Sequence, residues 1–194
     1  MTKPLRAALL ASVVAAAGCV GSIFPLWSGP EMVFDARLVG AWHEPGAKGW
    51  IDVRASGPLT YRVMVRDDSG KTGTFAGMLG RLDGRLVLDL QPDVTHLDAP
   101  QEFIGMLQPL HAFVIVDSLG ERPRLSLLNP DSLKSYLATH PGAVRADTLT
   151  AGIVLEAGPR ELQAFLRGYL QRPGVADAQT PGLTRCHDCQ VPGH

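Results

Sequence analysis

The chain is poor in cysteine, with three in 194 residues, at positions 19, 186 and 189. So few cannot form a disulfide framework, and the fold has to rest on a hydrophobic core. It has no block of basic residues, which argues against a nucleic-acid partner. It also lacks a long apolar run: the longest uncharged stretch near the start, Ala7 to Ala17, falls short of the roughly 20 residues that a membrane span needs. The catalytic signatures are missing as well. There is no G-x-S-x-G, no H-E-x-x-H and no glycine-rich dinucleotide fingerprint. Ser69 to Gly73 suggests a phosphate loop, but Val65 stands where that loop requires its first glycine. An enzyme is therefore not expected, no catalytic residue is assigned, and no cofactor is called for.

What is present begins at the N-terminus. Lys3 and Arg6 precede the apolar stretch, and small residues lead from it into Gly18 and Cys19. That order of basic, apolar and small predicts an export signal over residues 1–18. Ala16-Ala17-Gly18-Cys19 resembles the lipobox of bacterial lipoproteins. The resemblance implies that the Cys19 thiol receives a diacylglycerol and becomes the new N-terminus, so that the partner is a membrane held through palmitate-like chains. Each buried CH₂ contributes about 0.8 kcal/mol to such a tether, and several chains hold where one would not. Val20 occupies the place where some lipoproteins carry a retaining aspartate, which favours the outer membrane, facing the periplasm or the cell surface. Loss of residues 1–18 leaves 176 residues, the length of one domain, and takes the formal charge from −1 to −3 with Lys3 and Arg6.

The remainder divides into a linker (19–35), a body (36–171) and a flexible tail (172–194). Proline and glycine interrupt the linker, although its Ile23, Phe24, Leu26 and Trp27 could pack on the body or the lipid surface, and the tail has little that could pack. Within the body, period-two alternation dominates. Tyr61, Val63 and Val65 share one face of a strand, as do Leu86, Leu88 and Leu90. Asp83-Gly84 between two such runs predicts a tight hairpin, because both central residues of a type I′ turn need positive φ. The run 111–117 is apolar on both faces and is expected to be central or covered by a helix. Two helices are predicted. Asn129 and Pro130 cap and open the first, which ends before His140-Pro141. The second starts at Pro159 and presents Leu162, Phe165, Leu166, Tyr169 and Leu170 as one stripe.

Gly40-Ala41-Trp42 at the start of the first body strand resembles the GxW of lipocalin-like barrels. That resemblance implies a mainly β fold, an antiparallel meander of about eight strands closing into a barrel, with a short helix before the last strand and a packed C-terminal helix. Trp42 would close its floor. The chain is also similar to small uncharacterised bacterial lipoproteins in which a strand hairpin, a "VLDL" strand (87–90) and an "ELQAFL" helix (161–166) occur in this order. The connection from Gln91 to Leu110 is long for such a barrel. Its Phe103, Ile104, Met106 and Leu107 fit either a lid or a packing segment, and packing is the expectation.

The polar residues add little. Histidines stand at 43, 96, 111, 140, 187 and 194, and Asp67-Asp68 reads as turn chemistry. Cys186-His187-Asp188-Cys189 has a redox or metal spacing. A disulfide between Cys186 and Cys189 is the expectation, with Cys186, His187, Cys189 and His194 as weak metal candidates. Two functional classes follow. One is a lipid-anchored, non-enzymatic domain that binds an apolar small molecule or an envelope protein, or serves as a scaffold. The other is a metal-binding or redox-active periplasmic protein built on the CHDC segment.

Overall fold

The computed structural model describes residues 19–95, 97–150, 152–176 and 181–189. The expected export signal at 1–18 lies outside them, as do His96, His194 and positions 177–180 of the tail. Among the described residues no helix is long and apolar enough to cross a membrane.

The described residues form one mixed sheet of 11 strands, with two of their three helices packed on one face. The eight strands expected from alternation all form: β2 (Gly40–His43), β3 (Trp50–Ala55), β4 (Thr60–Arg66), β5 (Thr72–Leu82), β6 (Arg85–Pro92), β7 (His111–Ser118), β8 (Arg124–Leu127) and β10 (Gly152–Leu155). Three were not anticipated: β1 (Cys19–Ser22), β9 (Ala146–Leu149) and β11 (Thr184–Arg185). β2 to β8 run as a continuous antiparallel meander. Asp83 and Gly84 take positive φ, 45° and 86°, as the two-residue turn from β5 to β6 demands.

The meander curls but does not close, and the expected barrel is corrected to an open sheet. β7 divides its outer edge: His111 and Ala112 pair with β1, whereas Val114 to Ser118 pair with β8. β8 is only four residues long, and among the described residues no ladder carries it round to β2. The gap is spanned by the tail. β11 pairs with β2, and the Leu183 N–H donates to the Pro123 carbonyl at 2.8 Å, a single bond where a barrel would have a strand pair.

Two cores lie on opposite faces, and the period-two pleat sorts residues between them. On one face Val87, Phe113 and Ile115 meet the helix α3 (Pro159–Tyr169), whose Leu162, Phe165, Leu166 and Tyr169 are all buried. Burial pushes the Tyr169 hydroxyl up to about 12 against the opposing charge of Arg172. The helix α2 (Pro130–Thr139), capped by Asn129 through the Ser132 N–H at 2.8 Å, inserts Leu133 into the same core. On the other face Trp42, Val63, Leu88, Leu90 and Val114 form the concave core. The run 111–117 is thus central and covered on both faces.

The linker expected at 19–35 is also corrected, because this segment is built into the fold. β1 pairs in parallel with β10 from Cys19 opposite Gly152 to Ser22 opposite Leu155. Leu26 and Trp27 are fully buried. The Trp27 indole lies against Gly80, where an added Cβ would come within 2.4 Å of its ring, and its Nε1–H donates to the Val87 carbonyl at 3.1 Å. Met32 bridges to Gly80 farther along. The prolines and glycines that suggest a spacer only redirect this segment over the sheet.

The tail is corrected in part: Val175 and Leu183 are buried, and the segment carrying β11 is attached to the sheet. The connection 91–110 holds one short helix, α1 (Gln101–Ile104). It does not bury its apolar residues, for Phe103 is 51% and Met106 76% exposed.

Candidate functional site

The concave face of β2 to β8 encloses a cavity of about 60 Å³. Its walls come from alternate residues of successive strands, among them Trp42, Val63, Phe75, Leu90 and Val114, and Leu183 of the tail closes it. Ser126 is the only hydroxyl-bearing residue on the described lining, and its Oγ donates to Asp117 at 2.8 Å. The Trp42 Nε1–H donates to the Leu38 carbonyl at 2.9 Å. With both polar groups engaged, the chamber offers an occupant dispersion and desolvation alone.

The wall formed by the tail is lightly held. β11 contributes two ladder residues, the Cys186 N–H donates to the Ala41 carbonyl at 2.9 Å, and Thr184 Oγ1 lies 3.0 Å from His43 Nε2. The Arg185 guanidinium sits 4.5 Å over the Trp42 ring, a cation–π contact of about 0.5–1 kcal/mol at an exposed site. Cys186 and Cys189 are joined as a disulfide with Cα atoms 5.6 Å apart, which ties a short loop just beyond this wall.

The sequence candidates are otherwise dispersed. Cys19 is the first residue of β1. His187 is exposed at the surface, and His194 lies outside the described residues. Among the described residues no three of His, Cys, Asp or Glu converge as metal ligands. His140 stacks on Tyr136 with centroids 4.1 Å apart. Asp67 and Asp68 serve their turns, accepting from the Lys71 N–H and from the Lys48 and Gly49 N–H groups. Beside them, a cavity of about 20 Å³ is lined by Glu44 and Trp50, whose Oε1 and Nε1 are buried and unpartnered among the described residues. Burial, with the nearby charge of Asp68, raises the Glu44 carboxyl above its ordinary range. The space suits one water rather than an organic ligand.

One polar pair was missed by the sequence reading. Asp89 on β6 and His111 on β7 are buried beneath the N-terminal segment, with Oδ1 and Nδ1 2.7 Å apart. The second oxygen of Asp89 accepts the Leu26 N–H at 2.7 Å, and Gln163 Nε2 of α3 donates to the Leu26 carbonyl at 2.9 Å. Both polar groups of one backbone residue are thereby satisfied by side chains from two different elements. The pair clamps the segment that follows Cys19. Ser22 is buried beside His111 in the ladder, but its hydroxyl donates to the Phe24 carbonyl at 2.7 Å. It is engaged as a turn, not presented as a nucleophile.

Comparison of the chain with protein-family models, with curated proteins and with solved structures finds no match.

Proposed function

We propose that the protein is an envelope lipoprotein, tethered through a diacylglycerol on Cys19, whose non-enzymatic domain takes the end of an apolar chain into the concave chamber. The observation that carries this reading is the chamber itself, with apolar walls on every strand from β2 to β8. At about 60 Å³ it is far smaller than the roughly 300–1,000 Å³ of ordinary ligand sites. A longer occupant enters only when Leu183 and β11 leave their places. The weak attachment of that segment makes it the movable wall, filling the place of a missing barrel strand in a lipocalin-like arrangement. The same small volume supports a second reading, in which the chamber is packed core and the domain is a scaffold.

Titration with 1-alkanols of increasing length, followed through Trp42 emission, separates the two. A saturable change is expected, lost in Val63→Phe, which fills the chamber, and reached at lower alkanol concentration in Leu183→Asp, which disfavours the closed wall. A response that is linear in concentration and identical in the filled variant assigns the chamber to the core. The metal reading is the weaker one, because in the disulfide neither Cys186 nor Cys189 has a thiolate to offer, whereas a disulfide is the oxidised form that a redox-active pair would itself take.

A further inference from the structure

We propose that the occupant of the concave chamber is an anionic amphiphile, with its apolar chain inside and its singly charged head on the arginines at one mouth of the concave face. This deepens the apolar-chain reading above and rests on it. An open depression of about 500 Å³ carries Arg37, Arg81 and Arg85 on its lining, together with Leu86, Val116 and Ser118. It adjoins the chamber at several points. Leu86 and Val116 stand two residues along β6 and β7 from Leu88 and Val114 of the chamber wall, about 7 Å away on the same pleated face. All four belong to one core. Arg81 pairs with Leu86, Leu86 with Val116, and Val116 with Leu125 of the chamber, so one row of the sheet leads from an arginine to the apolar wall. Arg37 immediately precedes Leu38, another chamber residue. From Ser118 and Leu119 of the depression the chain runs on to Pro123, whose carbonyl holds the Leu183 N–H at 2.8 Å. The movable wall therefore borders the same mouth.

The charge at this mouth favours an anion. Arg37 donates from Nε to Asp35 Oδ1 at 2.9 Å, and Asp117 on the lining accepts from Ser126 at 2.8 Å, so both carboxylates there have a partner. Arg81 gives one N–H to the Gly84 carbonyl at 3.2 Å. Among the described residues neither Arg81 nor Arg85 has an ion pair. Three guanidiniums against two carboxylates leave one positive charge, which a singly charged head balances. A guanidinium fork also matches a carboxylate in shape, and bonds between ionised partners are about twice as strong as neutral ones. An alcohol gains only the chamber, and a cationic head meets repulsion.

The test titrates the full chain with 1-octanol, octanoate and octylammonium, which share a chain length and differ in the head, with Trp42 emission as the readout. Octanoate is expected to saturate at a concentration at least about tenfold below 1-octanol, the size of one hydrogen bond to a charged group, and octylammonium above it. Added salt shrinks the octanoate advantage, because the three arginines are exposed. Arg81→Gln combined with Arg85→Gln is expected to bring octanoate to the level of 1-octanol, with both still saturable. Octanoate that saturates no earlier than 1-octanol, or that keeps its advantage in the double variant, overturns the head site and leaves the chamber standing. Saturation by neither compound, in the parent and in Leu183→Asp, overturns the chamber, and the head site with it.

Discussion

Replacing Asp89 with alanine is expected to destabilise the protein by about 2–5 kcal/mol, because it leaves two buried polar groups without a partner at about 1–3 kcal/mol each. Asp89 has no exposed surface. Its two oxygens serve His111 Nδ1 and the Leu26 N–H, and its loss leaves both partners buried and unpaired. Against a total stability of about 5–15 kcal/mol for a domain, this is a large fraction. Asp89→Asn keeps one acceptor and places an NH₂ against the other partner, so a smaller loss is expected. Urea unfolding reads both variants, and an unchanged slope with a lower midpoint identifies a stability effect rather than a change in the unfolded chain. A loss below 1 kcal/mol for Asp89→Ala would mean that the clamp does not hold the N-terminal segment.

Trp27→Ala is the second large expectation, again about 3–5 kcal/mol, the range for truncating a buried tryptophan. Here the loss is a cavity beneath the strands, since the indole fills the space over Gly80 and its Nε1–H is bonded to Val87. The same substitution in a solvated spacer would change stability by no more than about 0.5 kcal/mol. Thermal or urea unfolding of the chain from residue 19 onward therefore decides whether residues 19–35 belong to the domain. The two variants meet at adjacent residues, Leu26 and Trp27. The double variant is expected to lose less than the sum, because either change alone frees the segment from the sheet.

What the sequence disclosed, and what it hid, follows from the range of the interactions. Tyr61, Val63 and Val65 alternate without interruption, Asp83-Gly84 is sufficient for its own turn, and the stripe from Leu162 to Leu170 has one face to bury. Each of these elements is specified by neighbours along the chain. β1 is different: four residues with no alternation to mark them, held by a parallel partner more than 130 positions later. Leu26 and Trp27 sit between Pro25 and Gly29 and find their places only because Asp89 and Gly80 wait on distant strands. β9, with most of its residues exposed, carries no apolar period, and β11 is two residues in a proline-rich tail. Closure of the barrel failed for a similar reason. GxW and a regular meander say nothing about which strand takes the outer edge of β7, and β1 occupies part of it.

The candidate site was legible only in pieces. The inward faces of β3 to β8 could be read as a chamber wall from alternation, but Leu183, which closes it, lies outside any periodic run. Asp89 left a faint trace in "VLDL", as a carboxylate on the face it shares with Val87 in a strand apolar on both sides. A polar group in that position needs a partner, and His111 at the head of the next strand is that partner. For Cys19 the residues carried only the expectation of an anchor, while its place at the head of β1, opposite Gly152, needed three dimensions.

Intact mass spectrometry of the protein extracted from membranes, beside a Cys19→Ser variant, tests the tether on which the account depends. The expected result is a mass equal to the chain from Cys19 onward plus acyl chains, with the variant released into the soluble fraction and still folded. A mature chain of unmodified mass, or a Cys19→Ser variant that stays with the membrane as the parent does, would contradict it.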